Sequence, residues 1–315
     1  MISIETAKNL EDLFQIKSAI MGKKLEEFGG RKGVAEILGL AFDAYHHQEF
    51  QKSLKILDPL VDAFKDQPFV SNDDVEFVSV ADEMEWSLCL QYHEKSSSRQ
   101  VKNVSAVCPM EFIWRQYSLS SLELGDYVTA RDAAVKAVQW NPASAKYRLV
   151  LAMACGNEDH REESLGHIVS AMKSAYKPVD LVYAFQLLRD YFTYKGLYNE
   201  AMYMSFLRSN FISSSEILRD IVNDMLTFIK NEQFNYQDLN DEGLLKTCEK
   251  YGFAPNFNPE VVAVAQRNYE EAFVARDAQR ADYFAQIMSD MKTEQEKRNA
   301  ARLRRFFERR RNIMS

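Results

Sequence analysis

Between two stretches that scan as helix stands the tripeptide Gly125-Asp126-Tyr127. Upstream, Trp114, Tyr117, Ser118 and Ser121 recur at helical spacing from Glu111 to Leu124; downstream, Ala130, Ala134 and Ala137 do the same between Tyr127 and Pro142. A glycine just past a helix end takes the left-handed conformation that lets the chain turn back. Small residues at the facing positions let two helix backbones approach closely. The stretch therefore reads as helix, tight turn, helix. Elsewhere the chain has little that would stop a helix, with 11 glycines and 7 prolines in 315 residues, so the expected fold class is all-α.

Residues 111 to 144 resemble the tetratricopeptide repeat (TPR), a helix-turn-helix unit of about 34 residues. The resemblance rests on Trp114 at the fourth position, Gly125-Asp126-Tyr127 at the turn, Ala130 and Ala137 on the second helix, and Pro142 at the exit. It departs at Ser118, where glycine is usual, at Ser121, where tyrosine is usual, and at Ala134, where an aromatic is usual. Three further segments fit the same unit less closely. Residues 145 to 178 place Leu151, Ala152, Ser164, Ile168 and Ala171 at packing positions but turn on "NEDH" without glycine. Residues 182 to 215 follow after a slip and turn on "KGLY". Residues 34 to 67 offer Leu40, Ala41, Ala44, Phe50, Ser53, Leu57 and Leu60. The resemblance implies a right-handed superhelix of antiparallel helix pairs, an α-solenoid in which neighbouring units bury each other's apolar faces. The rival reading is a plain irregular helical bundle in which this turn arose by chance.

The rest of the chain is placed around that array. Residues 1 to 33 read as an N-terminal capping helix and a Gly-rich turn, "FGGRKG", which lacks both the spacing and the preceding strand of a phosphate-binding loop. Residues 34 to 231 hold the repeats, with an additional helix expected over 74 to 94 after "SNDD" and an irregular stretch after it. Residues 232 to 258 are a loop-rich connector with a short helix from Leu244 to Tyr251. From Pro259 to 315 nothing forces a stop, which predicts a long C-terminal helix, with "ARDAQRAD" the place for a kink or short loop.

Charge is unevenly spread. The net value is −7, yet residues 297 to 315 carry +7 and the preceding chain −14. Arg302, Arg304, Arg305, Arg309, Arg310 and Arg311 surround Leu303, Phe306, Phe307 and Ile313 at near-helical spacing, a basic amphipathic surface that suits an acidic partner, a nucleic acid, a membrane surface or the chain's own acidic body. Polar residues interrupt the N-terminal stretch every few positions, and no span is apolar enough for a membrane or a signal peptide, so a cytoplasmic location is expected. Cys89, Cys108, Cys155 and Cys248 show no close pairing and read as reduced, packed thiols. "NVS" at 103 to 105 is discounted as a glycosylation site on the same ground.

No G-x-S-x-G elbow, glycine-rich strand-to-helix turn or H-E-x-x-H pair occurs, and the chain reads as a non-enzyme without cofactor. His160, Glu163 and His167 share one helix face at i, i+3 and i+7, but no paired helix offers an obvious matching ligand, so this face reads as solvated rather than metal-binding. His46 and His47 sit where a cationic side chain suits a helix C-terminus.

What the TPR resemblance implies for function is a protein-interaction scaffold, in which the first helix of each unit lines a concave groove for a peptide or partner helix. Carried over by position, the groove residues are Phe112, Arg115, Leu119 and Glu123, then Lys146 and Asn157, then Tyr183, Gln186, Asp190 and Tyr194. The basic set that clamps a terminal carboxylate in such arrays is present only as Arg115 and Lys146, so that specificity is not implied. Homo-oligomerisation through the C-terminal helix is a second partner mode. A nucleic-acid-associated regulator using the Arg-rich end, with the repeats as sensor or dimerisation module, is the alternative function. An enzyme is the third, and requires a pocket with convergent ionisable groups.

Overall fold

A computed structural model describes residues 22–65, 75–96, 100–106, 108–211, 214–230 and 239–293. Of the capping helix and Gly-rich turn expected over residues 1 to 33, residues 1 to 21 lie outside them, as does the basic cluster from Arg302 to Arg311. The chain divides into two compact units, 1–167 and 168–315.

In the first unit, α1 (Gly30–His46) pairs with α2 (Phe50–Phe64), and α4 (Met110–Glu123) pairs with α5 (Tyr127–Trp140), which packs in turn on α6 (Ala145–Asn157). Contacts run to neighbours: α2 meets α4, and the first helices α1, α4 and α6 touch in sequence. One core threads these pairs, with Val34, Leu60, Phe64, Ile113, Trp114, Ala137, Trp140 and Tyr147 all buried in it. The Lys136 ammonium lies over the Trp114 ring at 4.3 Å, covering with its stem an indole that is itself in the core.

A short sheet interrupts the helices. Instead of one helix over 74 to 94, β1 (Val75–Val78) precedes α3 (Glu83–Ser96), and β2 (Gln100–Asn103) follows. The two strands run parallel, with Val75 opposite Gln100 and Val78 opposite Asn103. The correction has a local and a non-local cause. The run Val75-Glu76-Phe77-Val78 favours the pleated state, and the helix can begin only at Asp82, whose side chain accepts from the Met84 and Glu85 amides at 3.0 and 3.1 Å. Asn103 continues the ladder with its side chain, accepting from the Val80 N–H at 3.1 Å and donating to the Val80 carbonyl at 2.7 Å. An amide engaged twice in this way has no room for a glycan.

In the second unit, α8 (Pro178–Tyr194) pairs with α9 (Tyr198–Ser209), α9 touches α10 (Ser215–Lys230) and α11 (Asp241–Tyr251), and α12 (Pro259–Val274) pairs with α13 (Ala278–Asp290). Helix α7 (Arg161–Met172) contains the division between the units. Aromatic rings dominate the second core: Phe211 stands 6.1 Å from Phe185 and 5.5 Å from Phe257, and Phe192 meets Tyr251 at 4.8 Å. The long helix expected from Pro259 is broken at Ala275-Arg276-Asp277 into the α12–α13 hairpin. Arg276 has φ 58° and the Asp277 carboxylate caps α13 through the Arg280 amide at 3.0 Å, so the first three residues of "ARDAQRAD" are the turn. Doubling back lets Val264, Ala265, Ala272, Ala281, Phe284 and Ile287 leave water, which an isolated extended helix cannot do.

One turn recurs. Gln48, Gly125, Asp159, Gly196 and Arg276 each have positive φ. In each case the following amide bonds back to the carbonyl five residues earlier: Glu49 to Ala44 at 2.8 Å, Asp126 to Ser121 at 3.0 Å, His160 to Cys155 at 2.9 Å, Leu197 to Phe192 at 2.8 Å, and Asp277 to Ala272 at 2.9 Å. This is the Schellman closure, and it reverses the chain between two helices within three residues. Where the paired helices meet in the first unit, a buried serine donates to an alanine carbonyl twelve residues away: Ser53 to Ala41, Ser118 to Ala130 and Ser164 to Ala152, at 2.9, 2.7 and 2.7 Å. Ser118, an anomaly in the sequence pattern, is thus a small residue whose hydroxyl is satisfied across the contact.

The four cysteines are buried and none is in a disulfide. Burial pushes the thiols of Cys89, Cys108 and Cys155 up to about 12 and that of Cys248 up to about 11, which keeps them protonated at neutral pH. No described helix is long and apolar enough to cross a membrane.

Candidate functional site

Helix α4 buries Ile113, Trp114, Gln116, Ser120 and Ser121; at the three- and four-residue spacing of another face, Phe112 and Glu123 are exposed while Arg115 and Leu119 are half-buried, Leu119 packing against the core. Phe112 keeps 42% of its surface in solvent, a high value for a phenylalanine in a well-packed helix. The neighbouring first helix contributes a residue that the sequence pattern did not single out: the Tyr45 hydroxyl donates to the Glu123 carboxylate at 3.2 Å. Partial burial, then the Glu123 charge, push the Tyr45 phenol up, while Arg115 acts in the opposite direction. Tyr45, Arg115 and Glu123 therefore lie within electrostatic reach of one another. One turn before Tyr45, Phe42 is also exposed and meets the His46 ring edge-on at 4.1 Å. The signal for Tyr45 was available, because residues 34 to 67 also fit the repeat and their first helix offers the equivalent face.

Lys146 and Asn157 are both exposed but stand at opposite ends of α6, about 16 Å apart along its axis at 1.5 Å per residue. They flank a surface and do not form a cluster. In the second unit, Tyr183, Gln186, Asp190 and Tyr194 share one face of α8. There the Gln186 amide donates to Asp190 at 3.3 Å, and Arg189 pairs with Asp190 at 2.6 Å and with Asp224 of α10 at 2.8 Å. Asp190 thus has a structural tie, while Tyr183 and Tyr194 present aromatic surface to solvent.

Two other features of the second unit bear on binding. A cavity of about 320 Å³ is lined by Tyr203, Phe206, Leu207, Asn210, Asn240 and Leu244 among others. A side chain at Gly243 would collide with the hydroxyl of Tyr203, one of the lining residues. Helix α10 shows Leu218, Val222, Leu226 and Ile229 to solvent while Ile221 and Phe228 face inward.

Glu111, which opens α4, is 1% exposed, and burial holds its carboxyl up at about 8. Its partner, the Ser79 hydroxyl, already donates to the Cys108 carbonyl at 3.0 Å. A hydroxyl has one proton to give, so Glu111 is the donor to Ser79 and carries its proton at neutral pH. This carboxyl belongs to the joint between β1 and α4 and not to the exposed face.

Compared with known families and with curated proteins, the sequence matches no family model and no curated relative.

Proposed function

We propose that this protein is a non-catalytic interaction scaffold that holds a peptide or a partner helix against the first helices of a TPR-like array. The observation that carries the reading is the α4 face, where Phe112 and Glu123 stand exposed and Arg115 and Leu119 half-buried beside Tyr45, on a pair of helices whose opposite sides are committed to the core. An exposed aromatic flanked by a cation and an anion on rigid elements offers a partner one apolar anchor and two orienting charges. The recurring Schellman hairpins and the touching first helices α1, α4 and α6 support a stacked array in the first unit. Four buried thiols outside any disulfide fit a reducing compartment, so the reading takes the cytoplasm as its location.

The test is selection from a random peptide display library on the full-length chain, followed by titration of the enriched peptides against Phe112→Ser and Arg115→Glu variants shown by circular dichroism to be folded. A shared peptide class whose affinity drops at least tenfold in both variants supports the face. Peptides that bind the variants as well as the natural protein, or no enrichment at all, exclude it. The alternative, nucleic-acid binding through Arg302, Arg304, Arg305, Arg309, Arg310 and Arg311, is favoured by the +7 carried over residues 297 to 315 and is tested separately below.

A further inference from the structure

The helix-face trio His160, Glu163 and His167 lacks, in sequence, a ligand from the paired helix. The fold provides one. Cys155, in the last turn of α6, comes against α7 so that its sulfur, a Glu163 carboxylate oxygen and a His167 ring nitrogen all lie within 4.8 Å of one another. The Schellman turn brings this about: Asp159 adopts φ 66°, the His160 amide closes onto the Cys155 carbonyl at 2.9 Å, and α7 starts at Arg161. Glu163 and His167 then fall one helical turn apart on the side of α7 that looks back at α6. The rotation of α7 is set by Ser164, which lies between the two ligands and donates to the Ala152 carbonyl at 2.7 Å.

We infer that Cys155, Glu163 and His167 form a binding site for one divalent cation of the zinc class, which ties α6 to α7. The donor set decides the class. One thiolate, one imidazole and one carboxylate suit zinc and its cobalt surrogate, whereas magnesium and calcium require oxygen ligands alone. The spacing is close to that required: His167 Nε2 and Glu163 Oε1 are 3.6 Å apart, against about 3.3–3.5 Å for two ligands on a tetrahedral zinc. The Cys155 sulfur lies within 4.8 Å of both the Glu163 oxygen and the His167 nitrogen, so it faces the same space. The ion would displace the thiol proton to solvent and take its place between the three groups. Access is from the Glu163 side, where that carboxylate is half exposed. Around the site, His160 Nδ1 lies 3.7 Å from the second Glu163 oxygen and is held by Arg131 at 2.8 Å, while Arg131 also pairs with Glu158 at 3.0 Å. His160 Nδ1 accepts from Arg131 and has no proton to give Glu163, so it stays outside the ligand set, and water completes the fourth coordination position.

The experiment uses the full-length chain, stripped with chelator and titrated with cobalt and then zinc. The expected result is one cobalt per chain, with a thiolate-to-cobalt charge-transfer absorption and the visible bands of a four-coordinate ion, displaced by zinc and unaffected by excess magnesium. Cys155→Ala removes the charge-transfer absorption even though Cys89, Cys108 and Cys248 remain. His167→Gln and Glu163→Gln, on the solvent side, leave the helical signal unchanged and weaken zinc binding at least tenfold. These two variants keep the test decisive if Cys155→Ala fails to fold. No charge-transfer absorption, one that survives Cys155→Ala, or zinc affinity unchanged in His167→Gln overturns the site.

Discussion

Glu111→Gln is the perturbation that tests the polar interior most directly. In the folded protein the carboxyl holds its proton to about pH 8, because burial penalises the anion; the ordinary value, reached on unfolding, is 4.5. Between those limits the native state binds more protons than the unfolded one, so stability falls as pH rises. The plateaus lie below about pH 4.5 and above about pH 8. The slope for one group is about 1.4 kcal/mol per pH unit, so on the order of 3 kcal/mol is lost between about pH 5 and pH 7.5. Glutamine keeps a donor for the Ser79 oxygen and cannot ionise, so the variant lacks this slope and is the more stable protein at pH 8. The readout is built into the chain: Trp86, Trp114 and Trp140 all lie in the first unit, so tryptophan fluorescence in urea reports that unit's unfolding. A natural protein and a variant whose midpoints change in parallel from pH 5 to 8 would refute the assignment of a protonated, buried Glu111.

Gly125→Ala forces a side chain into φ 77° and is expected to cost about 1 kcal/mol by the same fluorescence assay. Arg276→Gly relieves the same strain at φ 58° and is expected to stabilise the α12–α13 hairpin by a similar amount, seen as slower hydrogen exchange at the Asp277 amide. Ser118→Ala removes a buried hydroxyl that donates across the α4–α5 contact and is expected to cost about 1 kcal/mol in urea. Removing residues 297 to 315 is expected to leave peptide selection on α4 unchanged; if it instead abolishes a steeply salt-dependent binding to single- or double-stranded nucleic acid in filter binding, the alternative function is the correct one.

Legibility in the sequence followed the range over which each feature is decided. The α4–α5 hairpin was readable because Gly125 marks the left-handed position and Asp126 the cap, both within a few residues. The turns at Gln48, Asp159 and Arg276 have the same geometry without glycine, and in each the left-handed conformation is held by the packing of the flanking helices. The α12–α13 hairpin was therefore expected as one long helix, with "ARDAQRAD" only the place for a kink or short loop. The strands escaped because a four-residue run such as Val75 to Val78 is ambiguous until β2 supplies its hydrogen bonds some 25 residues later.

For the candidate sites the same division holds. The TPR resemblance put Phe112, Arg115, Leu119 and Glu123 on one face and helical period put Glu163 with His167 on another, since side-chain direction along a helix is a local property. Tyr45 reaching Glu123, and Cys155 reaching Glu163 and His167, required helices to be brought together by burial of their opposite sides. The amino-acid order by itself determined where helices form, which faces are apolar and where glycine turns fall. Tertiary structure decided which faces meet, because hydrophobic burial is non-directional and only close packing selects one arrangement of side chains among those the pattern allows.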